Sequence, residues 1–163
     1  MRSIRSALAA AFLVLMLVVP AASADSVTVN GSGDIDKMSV NNGKKALTVK
    51  LYGFDPPCEA HYFKVVVFWG GKPAYQASGG CYPGAQWITS LEYFSNRNAQ
   101  DSKPVRCPKF GLAYKAAGKH YKLTIPRTCM KKAPDRVKVR SEGDNYRSTT
   151  GGEAGPTKAL GRG

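Results

Sequence analysis

Outside its first 24 residues the chain has no apolar run near the roughly eighteen residues that a membrane-crossing helix needs, so no transmembrane segment is expected. No window there keeps a 3.6-residue period. Ten prolines and seventeen glycines argue further against long helices. Histidine occurs only at positions 61 and 120, and no CxxC or HxxxH spacing exists, so no metal centre is expected. No GxSxG elbow or comparable nucleophile motif is present, which speaks against a serine hydrolase. No cofactor motif is found and no cofactor is expected. Without a recognition helix, sequence-specific nucleic acid binding has no support.

What is present begins with a three-part leader. Arg2 and Arg5 give a charged start, Leu8 to Val19 form an apolar run of twelve residues, and Pro20 breaks it. Ala22-Ser23-Ala24 then supplies the small-x-small pattern behind which a signal peptidase cuts. Residues 1–24 therefore read as a secretory signal, and the mature chain is expected to start at Asp25 in the extracellular space.

Charge is distributed unevenly behind that leader. Residues 25–96 hold six lysines and six acids, whereas residues 97–147 hold fourteen Lys or Arg against four acids. Such one-sidedness attracts anionic partners and raises their local concentration. The four cysteines, Cys58, Cys81, Cys107 and Cys129, read in an exported chain as two disulfides. Three pairings are possible. Cys58–Cys81 with Cys107–Cys129 is favoured, because each closes a compact loop between neighbouring strands, worth about 3 kcal/mol in the chain-entropy model.

The dominant period is two. Leu47, Val49 and Leu51 alternate with Thr48, Lys50 and Tyr52, and Tyr121, Leu123 and Ile125 alternate with Lys122 and Thr124. Val137 and Val139 alternate with Arg136, Lys138 and Arg140. Each is the signature of a half-buried strand. Tyr62 to Trp69 is instead apolar on both faces apart from Lys64, which predicts a central strand with a sheltered outer face. About nine strands are expected, arranged as an antiparallel β-sandwich or jelly roll over residues 25–150. Ser95 to Pro108 reads as a long loop, and the Gly-rich residues 151–163 read as a disordered tail.

The segment Leu123-Thr124-Ile125-Pro126-Arg127-Thr128-Cys129-Met130, followed by Val137-Lys138-Val139, carries a family resemblance. So does the opening Gly33-Asp34-Ile35-Asp36 leading to Val40 and Asn41. Over roughly residues 33–140 the chain resembles a group of secreted, mostly uncharacterised actinobacterial β-sandwich proteins with a "V.IPR.C" strand. These look like carbohydrate-binding sandwiches of the DOMON type. The resemblance implies the fold, export and a disulfide near Cys129.

Candidate chemistry follows from the same residues. Lys122, Arg136, Lys138 and Arg140 lie on polar faces of two late strands, and neighbouring strands would join them into a stripe ended by Arg127, Lys131 and Lys132. That surface suits phosphate or sulfate groups of a polyanion or cell-wall polymer. Tyr82 and Trp87, flanking a Gly/Pro-rich loop, are the candidates for stacking on a sugar. Asp34 and Asp36 could offer oxygens to calcium, but a loop of the EF-hand kind needs a terminal Glu that is missing, so a polar turn is the better reading. Asp55, Glu59 and Glu92 could be paired for glycoside hydrolysis, as in any β-protein. His120 shares the face of Lys122 and is expected to meet solvent. The expectation is a secreted, non-catalytic binding protein for an anionic ligand. A carbohydrate-binding module or a small secreted hydrolase are the alternatives.

Overall fold

Alternating side chains build strands, and eleven are found among the described residues of the computed structural model, which are 24–54, 61–70, 74–81, 88–96, 101–145 and 151–163. They are β1 (Asp25–Ser32), β2 (Lys37–Asn42), β3 (Ala46–Tyr52), β4 (His61–Phe68), β5 (Ala74–Cys81), β6 (Ile88–Phe94), β7 (Ser102–Pro104), β8 (Gly111–Lys115), β9 (His120–Pro126), β10 (Lys138–Asn145) and β11 (Gly152–Ala154). All pairings are antiparallel, in the order β7-β6-β5-β4-β10-β11-β1-β2-β3-β9-β8. No helix among the described residues is long and apolar enough to cross a membrane. Residues 1–24, where a secretory signal is expected, lie outside the described residues but for Ala24.

The sheet folds over on itself, so its two halves share one core. Phe63 of β4 and Tyr121 of β9 stand far apart in strand order, yet their rings are 5.4 Å apart. Phe54 joins both, at 6.1 Å from Phe63 and 5.5 Å from Tyr121. Met38, Val40, Leu47, Val49, Leu51, Val65, Val67, Leu123, Ile125 and Val139 are all fully buried around them. Burying a side chain of this size contributes about 1.5–3 kcal/mol, which is why the two-residue period dictates the sheet. β4 is central as expected, between β5 and β10.

Two expectations are corrected. The strand count rises from nine to eleven because β7 and β11 were not anticipated. Both are three residues long, too short to display a period. β7 lies inside the expected loop Ser95–Pro108 and pairs with β6. The expected disordered tail 151–163 is ordered: β11 sits between β10 and β1, and Leu160 is fully buried. Leu160 exchanges backbone hydrogen bonds with Val137, at 2.8 and 3.1 Å, and Thr157 N donates to Val139 O at 2.9 Å. The physical reason is backbone packing. A Cβ at Gly152 would come within 2.5 Å of Ile35 N, so glycine there signals close approach rather than looseness.

Candidate functional site

The Cys107–Cys129 disulfide forms as favoured, with its Cα atoms 5.5 Å apart. Cys58 and the side chain of Cys81 lie outside the described residues, as do Tyr82, Trp87, Asp55 and Glu59. The bridge ties the strand-to-strand segment after β7 to the turn after β9. The tie brings Arg106, next to Cys107, close to Lys131 and Lys132, just past Cys129. Together with Lys103 of β7 they line a cavity of about 390 Å³.

Tyr75 and Tyr93 are the aromatic wall of this cavity. They sit directly opposite one another on β5 and β6, with ring centroids 5.1 Å apart. Trp69, just past β4, packs behind Tyr75 at 5.9 Å and is partly buried against the core. Lys103 faces Tyr93 across the β6–β7 pair, and the Lys132 ammonium sits 4.2 Å from the centre of the Tyr93 ring. A cation over a phenol ring is held by the ring quadrupole. Lys132 N also donates to Tyr75 Oη at 3.2 Å.

No acid lines the cavity among the described residues, while four cations do. All four are exposed, so their heads stay hydrated and available. Burial is the main cause that pushes the Tyr75 phenol up; the hydrogen bond from Lys132 opposes it, and Tyr93 adds to it. The phenol therefore keeps its proton and can donate it in a hydrogen bond. The arrangement offers ammonium, guanidinium and phenol donors to one compact anion.

The expected single stripe does not exist. β9 pairs with β3 and β8, whereas β10 pairs with β4 and β11, so Lys122 and the β10 cations lie on different parts of the sheet. Spacing along the chain cannot say which strands adjoin. Lys122 lies opposite Lys50 on the outer face, in a row beside Tyr52 and His120. His120 is half-buried there rather than free, 5.0 Å from the Tyr52 ring, with Nδ1 3.0 Å from Gly118 O. Lys138 and Arg140 project from the outer face of β10, Arg140 paired with Glu142 at 3.3 Å, and Arg136 is exposed just before that strand.

Arg127 is withdrawn from any surface patch. Its Nε donates to Gly43 O at 3.3 Å, while Nη1 and Nη2 are buried with no hydrogen-bond partner among the described residues. Burial, followed by the nearby Arg162 charge, lowers its pKa to about 10. Of the seven expected anion-binding residues, only Lys131 and Lys132 meet at one cavity. Lys103, Arg106, Tyr75 and Tyr93 complete it. The usable signal for the two basic residues was their nearness to Cys107 in the most basic stretch. Asp34 and Asp36 occupy the β1–β2 turn, where Gly33 has φ 59° and Gly31 N donates to Asp36 O at 2.8 Å.

With the fold and this cavity in view, comparison with known proteins adds nothing further: no protein-family model, curated protein or solved structure matches the chain.

Proposed function

We propose that this is a secreted, non-catalytic binding protein of the cell envelope or extracellular space that takes an anionic ligand at the cavity beside the Cys107–Cys129 bridge. In this reading the two halves of the folded sheet serve as the layers of a β-sandwich, and the cavity opens at its rim. The observation that carries the reading is the convergence of Lys103, Arg106, Lys131 and Lys132 without an acid among the described lining residues. Like charges brought together repel, and an anion between them removes that cost. Binding rather than turnover is favoured because no carboxylate or imidazole among the described residues lines the cavity to move a proton. A phosphate or sulfate of a polyanion or cell-wall polymer fits the donor set, with Tyr75 Oη as an uncharged donor.

The test uses heparin and inorganic polyphosphate. The wild type should stay bound at roughly physiological ionic strength, where screening already acts over about 8 Å. Affinity should fall steeply with salt, because each neutralised anionic group releases counterions. Changing Lys103, Arg106, Lys131 and Lys132 together to Gln should make the log–log salt slope shallower by about three, at roughly 0.7–0.9 per contact. Elution of the wild type below physiological salt, or an unchanged slope in the variant, would remove the reading.

A further inference from the structure

The outer face of β1, β2, β3, β9 and β8 carries charge of one sign. Four lysines stand at outward positions there, Lys37, Lys50, Lys122 and Lys115, and no Asp or Glu does. Asp25, the one acid within these strands, takes an inward position opposite buried Asn42, and its Oδ2 accepts from Gly161 N at 2.7 Å. On the outer face of β10, β4, β5 and β6, by contrast, Glu92 and Glu142 stand among the cations.

The four lysines lie one to a strand on four adjoining strands, β2, β3, β9 and β8. Lys50 and Lys122 are direct cross-strand partners. Lys37 faces Tyr52, two residues past Lys50, and Lys115 faces His120, two residues before Lys122. Each outer lysine is thus a diagonal neighbour of the next. The steps along the row are about 7–8, about 5 and about 7–8 Å, and the row crosses the sheet rather than following a strand. Like charges directly opposite one another destabilise a strand pair, so Lys50 and Lys122 carry a cost that a bound anion would remove.

Two aromatic rings flank the middle of this row. Tyr52 and His120 are direct partners on β3 and β9, with ring centroids 5.0 Å apart. Both are half-buried, and the exposed Lys37 holds its ammonium 4.6 Å from the centre of the Tyr52 ring. Past Tyr52 the face opens into a hollow of about 210 Å³, lined also by Lys37, Phe54, Lys119 and Asp36, its one acid.

We infer that this face binds single-stranded nucleic acid without regard to sequence. An unstacked single strand can space its phosphates at up to about twice the roughly 3.4 Å rise of a duplex strand, which is close to the step of the lysine row. Proteins that hold single strands combine such a cationic track with aromatic rings on which bases stack. Here the rings stand beside the track. Lys37 can leave the Tyr52 ring for a phosphate as a base takes its place. A duplex keeps its bases stacked inside and cannot use the rings, and an anionic lipid surface would use the lysines alone. The face shares no residue with the anionic-ligand cavity, whose strand residues belong to β5, β6 and β7, and it does not depend on that reading.

The test titrates the full chain with a fluorescent oligo-dT of about twelve nucleotides, within the roughly 4–16 that single-strand sites cover. Affinity should fall about fiftyfold between about 0.05 M and about 0.2 M salt, at roughly 0.7 per phosphate for four lysines. Changing Lys37, Lys50, Lys115 and Lys122 together to Gln should remove most of that salt dependence, and exposed changes of this kind cost little stability. Tyr52→Leu should weaken binding about tenfold with the salt dependence kept, because a stacking ring is lost and no charge is. Circular dichroism checks the fold of both variants. A strand of equal length without bases, and a duplex, should each bind at least about tenfold more weakly. Absence of oligo-dT binding at the lower salt overturns the inference. So does equal binding of the baseless strand, or an unchanged affinity in both variants, or capture of the wild type by phosphatidylglycerol vesicles in preference to oligo-dT. Loss of oligo-dT binding in the cavity variant, with the lysine-row variant unaffected, overturns it too and leaves the cavity reading standing.

Discussion

The cavity and the outer face of β10, β4, β5 and β6 lie in one half of the sheet, yet they differ in the origin of their polar groups. The cavity's cations come from short β7, from the segment beside Cys107 and from the turn after Cys129, in the basic stretch of the chain. No strand partner faces most of them, so like charges can gather and wait for an anion. That outer face takes Lys64 and Glu92 from the stretch with no net charge and Arg140 and Glu142 from β10 in the basic stretch. Facing positions there mix the two signs, with Lys64 opposite Glu142 and Arg140 paired with Glu142. The cavity thus gathers charge of one sign, whereas this outer face mixes both.

The largest effect expected concerns the bridge. Changing Cys107 and Cys129 to Ser should cost about 3 kcal/mol of stability for a loop of this order. It should also remove polyanion retention, because Arg106 is no longer held against Lys131 and Lys132. Denaturant unfolding and heparin elution measure the two; full retention in the variant would uncouple bridge and cavity.

Leu160→Ala comes next. Leu160 is fully buried and anchored to Val137, so the change should cost about 2–3 kcal/mol. Hydrogen exchange should quicken in β10 and β11, which lie beside Leu160's anchor, more than in β6 and β7 at the cavity. Equal acceleration in all four strands would show that the sheet opens as one cooperative unit.

Alkaline pH acts on the core common to both. Burial, with a smaller push from Tyr114, raises the Tyr121 phenol from 10.0 to about 12. The unfolded phenol ionises first, so between these values the unfolded chain has shed a proton that the fold still holds. Stability should therefore fall as pH rises through this window, being intact below pH 10. Tyr121→Phe should flatten that part of the stability–pH curve; an unchanged curve would point to another group.

The smallest effect is expected on β10. Changing Arg136, Lys138 and Arg140 to Gln should alter heparin affinity by less than about twofold, since these exposed charges lie away from the cavity and Arg140 already has Glu142. A loss as large as that of the cavity variant would return the polyanion site to β10.

Much of the fold was legible because burial imposes a period. Nine of the strands, the inward valines, leucines and isoleucines, the central place of β4 and the Cys107–Cys129 bridge all follow from alternation and cysteine spacing. β11 was not legible, since Gly152 and Ala154 fit by closeness of backbone and carry no apolar pattern. The site was legible only as a region. Lys131 and Lys132 belong to the basic stretch and meet at the cavity, whereas Lys122, Arg127 and the β10 cations do not join them. Period and composition are local properties of a chain, and they determined strand identity, side-chain facing and the placement of charge. Which strands adjoin depends on how the sheet folds back on itself, a matter of long-range packing. Tertiary structure alone decided that β9 and β10 lie apart and that Tyr75 and Tyr93 meet four cations.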